Sequence, residues 1–414
     1  MLRTISMMAA VLLTAANPAV AQHAGHQTGK AQASGFPPQC LAENARPQPR
    51  CASVITPAFD PKGALWLAWV QKERVYAAVS NDKGKSFSDP VQVTRNVMPV
   101  DDNGENRPKI AFGTKGQIFV TFTIRGKRRF TGDVLFSRSL DGGRTFSEPL
   151  TVSDEQTVSS LRFEDMGVGA DGKIYIAWLD KRDRFAAEAA NTAYTGAALY
   201  YTFSDDGGGT FAKNRPIQHS TCECCRTDMA MDEGLPSIVW RNIYGKNTRD
   251  HGFVRFTGPE SFSVPTRISK DEWAVDACPH HGPALAVDGQ GGYHATWYTE
   301  GAVREGIFYA HSGDKGKTFS TPRALGIPKN APEHPHVVAV GDTVVLAWKE
   351  FDGHASNAMV MTSRDRGQTW TAPLQAASTS GNSDHPLLVS DSEWVFLSWQ
   401  TAGDGWRLFP VARQ

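Results

Sequence analysis

The sequence predicts an all-β fold, a β-propeller of seven blades (six if one unit is misread), and three observations carry that prediction. One eight-residue pattern, Ser-x-Asp-x-Gly-x-(Ser/Thr)-(Phe/Trp), occurs five times without a gap, at 80–87, 139–146, 204–211, 312–319 and 363–370. Its aspartates, Asp82, Asp141, Asp206, Asp314 and Asp365, stand 59, 65, 108 and 51 residues apart, so one degenerate copy is expected in the long gap, near 257–262. Runs that alternate apolar and polar residues recur ahead of the turns, for instance 117–123, 173–178, 292–298 and 343–348, and period-two alternation is the mark of a half-buried strand. Short strands repeated at this period describe radial sheets around an axis.

The elements follow in chain order. Arg3, an apolar run over 5–16 and the small residues Ala19-Val20-Ala21 have the layout of a secretory signal peptide, so 1–21 is excluded from the fold and the protein is expected to be exported, periplasmic or secreted. Residues 22–36 are rich in Gly, Gln, His and Ala without periodicity and read as a flexible leader. The remainder, 37–414, is one propeller domain. Cys40 and Cys51 lie close in sequence and are expected to form a local disulfide in an oxidising compartment. Unit openings fall near Ile55, Pro108, Phe163, Thr227, Pro283, Pro335 and Pro386. The last unit has room for only about three strands, so the segment around 40–53 is expected to supply a fourth and close the ring, since closure removes exposed sheet edges.

The repeated turn has a physical rationale. An Asp side chain accepts backbone N–H groups, Gly takes positive φ, and the closing aromatic packs into the sheet. These positions are structural. Function must lie elsewhere.

Composition narrows the partners. Lys+Arg and Asp+Glu both total 43, so no overall field favours nucleic acid or an anionic membrane. No segment after the first reaches the eighteen apolar residues of a membrane span. A metal ion, a small molecule or glycan, or a protein partner at the rim remain as ligands.

The five turns are Asp boxes, and in them the chain resembles the sialidase (neuraminidase)-like, BNR-repeat superfamily over nearly all of 37–414. The resemblance implies a propeller whose Asp boxes sit on outer hairpins, away from the ligand-binding face. It also implies an exo-α-sialidase site: three arginines on the sugar carboxylate, an Asp acid/base, and a Tyr nucleophile activated by Glu. Arg107, Arg226 and Asp165 are the residues that would serve if that activity were present. The pattern departs from the family in two places. Arg107 lies in Asn106-Arg107-Pro108, lacking the family's aromatic and spacer and following the first box, and no tyrosine occurs after Tyr309. Arg364 and Arg366 lie inside an Asp box and are not expected in the site. Paired carboxylates at Glu164-Asp165 or Asp180/Asp183 offer acid/base chemistry of another glycoside hydrolase, although 180–183 reads first as a salt-bridged loop. The balance favours a protein that is not an enzyme.

A different cluster is chemically distinctive. Cys222, Cys224 and Cys225 precede the fourth unit, Cys278, His280 and His281 the fifth, His334 the sixth and His385 the seventh. Equivalent positions on successive blades of a propeller face one axis, so these residues are expected to converge at the central mouth. Thiolates and imidazoles bind copper or zinc, with thiolate selecting the softer ion. Two disulfides among the four cysteines are the competing reading; the adjacent histidines, which no disulfide requires, point to a metal, with copper preferred. Met229 and Met231 are nearby, but strand alternation assigns Met229 to the core.

Overall fold

The computed structural model describes residues 36–155 and 158–413; the stretch 1–21, read above as a signal peptide, and all of the expected leader but Phe36 lie outside them. Seven antiparallel sheets, spanning 54–92, 109–151, 161–221, 228–267, 284–325, 333–379 and 387–413, form blades 1 to 7 in chain order. Each is a meander whose first strand lies innermost; blade 4 carries an extra short strand, Thr266–Arg267, and blade 7 has three strands. The seven expected openings fall within two residues of the first strands, which begin at Val54, Lys109, Leu161, Asp228, Ala284, Glu333 and Leu387.

The second strand of each blade supplies the core. Six blades bury a tryptophan there, Trp69, Trp178, Trp240, Trp297, Trp348 and Trp399, each at most 1% exposed. Blade 2 places Phe122 instead. A buried indole N–H is costly to leave unpaired; among the described residues Trp69 alone of the six lacks a partner. Trp178 donates to Asp180 at 2.9 Å, Trp240 to Asn242 at 3.1 Å and Trp348 to Glu350 at 2.7 Å, in every case the residue two positions on. The acid or amide after these strands is therefore a core-locking group. Asp180 also receives Arg182 at 2.8 Å, and Arg182 reaches Asp154 at 2.8 Å. The 180–183 segment is thus salt-bridged, and it opens an eight-residue helix, Arg182–Ala189, that the repeat pattern gave no sign of.

The five Asp boxes join the third and fourth strands of blades 1, 2, 3, 5 and 6 and share one hydrogen-bond scheme. In the last copy Ser363 Oγ donates to Asp365 Oδ1 (2.7 Å) and accepts from Gly367 N (2.8 Å), while Thr369 donates its N–H to Oδ1 (2.8 Å) and its hydroxyl to Oδ2 (2.6 Å). These bonds hold the Asp365 carboxyl down at about 2, the Thr369 hydroxyl contributing most. The degenerate copy is the hairpin between His251–Gly258 and Ser261–Phe262, where a Thr257–Ser261 hydroxyl bond of 3.0 Å stands in for the aspartate.

Ring closure differs from the expectation in one respect. Cys40 and Cys51 are disulfide-bonded, as expected, but the segment they bracket forms a short helix, Pro38–Leu41, and a 3-10 turn, Pro49–Cys51, rather than a fourth strand for blade 7. Two prolines bound in these turns remove N–H donors that a strand would need. The segment still links the ends of the ring: Gln400 Nε2 of blade 7 donates to Ala52 O at 3.0 Å, and Gln71 Oε1 of blade 1 accepts from Gln48 N at 3.0 Å.

Candidate functional site

The loops that lead into the inner strands meet at one end of the axis and are tied together by two buried ion pairs. Glu105, ahead of blade 2, accepts the Arg226 guanidinium at 2.5 Å on Oε1 and the N–H groups of Arg226 (3.0 Å) and Gly282 (2.8 Å) on Oε2. Arg226 continues to Pro335 O at 3.2 Å, so one carboxylate and one guanidinium join the entries of blades 2, 4, 5 and 6. Arg107 grips Asp384 of blade 7 bidentately, at 2.9 and 2.7 Å, and donates to Ile55 O of blade 1 at 2.9 Å. Both arginines are nearly fully buried. In this arrangement each guanidinium is already neutralised by a protein carboxylate.

The sequence-predicted Cys/His residues fall into two donor sets at the entries of blades 4 to 7. The sulfur set joins the entries of blades 4 and 5. Cys222 Sγ lies 3.9 Å from Cys224 Sγ and 3.7 Å from Cys225 Sγ, and one ligand atom each of Cys224, Cys278 and His280 fall within 4.8 Å of one another. All four cysteines are free thiols; three are buried and Cys278 is exposed. Cys222 is held well below the usual thiol range, by hydrogen bonds from Cys224 and Cys225 and by the nearby Arg241 and Arg249, the latter donating to its sulfur at 3.2 Å. The Cys224 hydrogen bond lowers Cys278 as well, while burial pushes Cys225 up. At the rim of the set Glu223 pairs with Lys181 (2.5 Å) and Arg184.

The imidazole set lies at the entries of blades 5, 6 and 7. The His334 and His385 rings stack with centroids 3.5 Å apart and planes 16° off parallel; His281 stacks on His334 at 4.6 Å and on Tyr298 at 4.1 Å. The Nδ1 atoms of His281, His334 and His385 are buried without a hydrogen-bond partner. Burial and the cations around them, Arg226 and Lys349 among them, hold all three rings neutral, His281 down at about 3 and the other two well below the ordinary value. Two carboxylates face this set: Glu105 Oε1 lies 3.8 Å from His334 Nδ1 and 3.7 Å from His385 Nδ1, and Glu333 Oε2 lies 3.4 Å from His334 Nε2. Sequence reasoning missed both. Glu333 adjoins His334 in the chain, and Glu105 stands two residues before Arg107 in the corresponding loop of blade 2, so the blade frame itself was the available signal.

Below the ring a cavity of about 200 Å³ is lined by Arg107, Lys109, Asp165, Arg226, Asp228 and Met229, among others. Lys109 Nζ lies 3.6 Å from Asp165, and burial, reinforced by Asp165, raises Asp228 to about 7. Met229 packs on the core and also borders this cavity, while Met231 borders a wider one near the far ends of the inner strands. Glu164, beside Asp165, instead accepts the Thr123 hydroxyl at 2.6 Å between blades 3 and 2, and burial raises its pKa to about 7.

These features define a seven-bladed β-propeller with a polar axial mouth. Among solved structures it is similar to a Hadza microbial sialidase, at 16% identity over 82% of this chain and 73% of that one (TM-score 0.52). It is also similar to an ulvan lyase of polysaccharide lyase family PL25, at 12% identity over 89% and 94% of the two chains (TM-score 0.56). A Penicillium chrysogenum α-L-arabinanase complexed with arabinobiose matches at 13% identity over 91% and 96% (TM-score 0.50). No protein-family profile and no curated protein matches the chain. At these identities the likeness is one of fold, and sites on this fold must be read from their own residues. Among the described residues no helix is long and apolar enough to cross a membrane.

Proposed function

We propose that this protein is an exported, non-catalytic propeller that binds a soft metal ion, copper before zinc, through Cys222, Cys224, Cys225 and Cys278, with His280 at the edge of the set. The observation that carries the reading is the meeting of four free thiols from two blades, three of them buried. Thiolate donors select cuprous copper over harder ions, and the neighbouring Arg249 and Arg241 offset the negative charge that a thiolate set gathers. Export rests on the N-terminal segment and agrees with the Cys40–Cys51 disulfide. Purified mature protein reconstituted with cuprous copper should retain the metal through desalting and lose thiol reactivity. Replacing Cys222 and Cys225 with Ser should then lower retained copper at least tenfold with the fold intact. Absence of bound copper and zinc, with all six cysteines oxidised, would sink the reading.

A glycan ligand is the second reading, favoured by the axial cavity with Asp165, Asp228 and Lys109 on its walls and by neighbours named for acting on glycans. In an exo-α-sialidase version Arg107 and Arg226 would hold the sugar carboxylate and Asp165 would move the proton. Against it stand the ion pairs that occupy both arginines. The Tyr298–Glu300 pair at 2.6 Å has the composition of an activated nucleophile, yet burial raises the phenol's pKa, the opposite of activation. Turnover of a fluorogenic sialoside or arabinoside, abolished by Asp165→Asn, would establish this reading in place of the first.

A further inference from the structure

Three buried imidazole Nδ1 atoms without hydrogen-bond partners at one mouth need a reason. A buried polar atom left unpaired is costly, and native proteins fill such sites with a donor, a water or an ion. The Nδ1 atoms of His334 and His385 stand at nearly the same distance, 3.8 and 3.7 Å, from one carboxylate oxygen, Glu105 Oε1, and the two rings, stacked nearly parallel, would turn apart for both in-plane lone pairs to reach one ion. Those separations are too long for hydrogen bonds. They are close to the roughly 3.3 Å between ligand atoms that share a tetrahedral ion at about 2.0–2.1 Å.

Other features bring these donors together. His334 adopts left-handed backbone, φ 50°, at a break in strand register between Glu333 and His336, a conformation that side chains other than glycine take at a cost and that gathers at functional sites. Gly104 lets His385 approach: a Cβ there would stand 2.5 Å from the ring's Cε1 and Nε2. Glu105 is fixed by the Arg226 guanidinium on Oε1 and by two backbone N–H groups on Oε2, the kind of outer contact that orients a carboxylate ligand.

We infer that Glu105, His334 and His385 form a second metal site, chemically distinct from the sulfur set, that takes a borderline divalent cation, Zn²⁺ or Cu²⁺. Two imidazole nitrogens and one carboxylate oxygen suit such an ion and lack the thiolate that a cuprous ion prefers. Three protein ligands leave a coordination position for water or a small ligand. His281 and Glu333 flank the site, each offering a ligand atom within 4.8 Å of one on His334; Glu333 Oε2 lies 3.4 Å from Nε2, so an ion on Nδ1 would leave His334 held between two carboxylates. The inference stands apart from the thiol reading, since no donor is shared.

The test uses the full mature chain stripped of metal and titrated separately with Zn²⁺, Cu²⁺ and, as a spectroscopic substitute, Co²⁺. A protein with Cys222, Cys224, Cys225 and Cys278 all changed to Ser should keep one equivalent of Zn²⁺ or Cu²⁺, with nitrogen hyperfine structure in the Cu²⁺ electron paramagnetic resonance spectrum. His385→Ala in the cysteine-intact chain should weaken that equivalent at least tenfold, and Glu105→Gln should do the same. If the serine protein does not fold, the cysteine-intact comparison decides: His385→Ala should remove one equivalent of bound Co²⁺, with its share of the visible d–d absorption, while leaving any sulfur-to-cobalt charge transfer unchanged. Divalent binding that is unmoved by His385→Ala, or that vanishes from a folded serine protein, overturns the inference. Cuprous copper failing to bind wild type while Zn²⁺ remains sensitive to His385→Ala would reject the thiol reading alone. The relative Zn²⁺ and Cu²⁺ affinities identify which ion the site prefers.

Discussion

The outer hairpins and the axial mouth are built from the same blade repeat, yet one is uniform and the other varies at every step. Five outer hairpins repeat a single scheme of Ser, Asp, Gly and Ser/Thr hydrogen bonds, each closed within eight residues. At the mouth the equivalent loops carry an arginine with a glutamate, three cysteines, a Cys-Pro-His-His run, a Glu-His pair and an Asp-His pair, and their bonds run between blades. Local bonds stabilise one hairpin at a time. Bonds at the mouth fasten the ring, so a change there should be felt by several blades together.

Arg107→Ala gives the largest expected effect. It strands the buried Asp384 carboxylate and removes the contact to blade 1, and breaking one partner of a buried pair costs about 3–5 kcal/mol. The urea midpoint should fall accordingly, with the whole transition moving as one. If only a small subset of amides loses exchange protection, the mouth does not fasten the ring and the contrast with the rim is wrong.

The two regions also differ in how far the sequence disclosed them. The rim was readable because Asp82, Asp141, Asp206, Asp314 and Asp365 act on neighbours within four residues, so the motif holds all of its partners. The blade openings were readable for the same reason, the strand pattern being local. That Cys224 meets Cys278 and His334 meets His385 followed from the frame alone. What the frame could not supply was orientation: that Glu105 turns inward to meet His334 and His385, that Arg107 and Arg226 are held by carboxylates, and that sulfur and imidazole form two sets. Those depend on side-chain packing between blades far apart in sequence. The residues around 40–53 were misjudged as a strand because their prolines and disulfide fix turns that a count of blade strands ignores.

A rim substitution should cost less and leave metal binding untouched. Gly84 has φ +85°, and a Cβ there would sit 3.0 Å from the Trp406 ring of blade 7. Gly84→Val therefore combines a strained backbone with a displaced indole, roughly 1–3 kcal/mol. Its melting temperature should fall by less than that of Arg107→Ala, and copper and zinc affinities should match wild type. A loss of metal affinity would mean that the outer hairpins transmit to the axis.

The smallest effect is also the most selective, because it depends on pH in a direction fixed by the turn. The Asp365 carboxyl is lowered from an ordinary 3.8 to about 2, first by the Thr369 hydroxyl and then by its N–H and Ser363. A group whose folded pKa lies below its unfolded one contributes stability that is complete above the unfolded value and is lost as pH falls through the folded one. Asp365→Asn keeps the shape of the turn but removes the charge. Its melting temperature should therefore lie slightly below wild type from pH 8 to 5, approach it between about 4 and about 2, and meet it below that range. The same titration on Asp314→Asn should give the same curve, since Asp314 is lowered to about 2 by the corresponding threonine. A difference that persists unchanged at pH 2 would show that the carboxylate's shape, and not its charge, is what the turn uses. Curves that differ between the two boxes would show that the rim is less uniform than its hydrogen bonds.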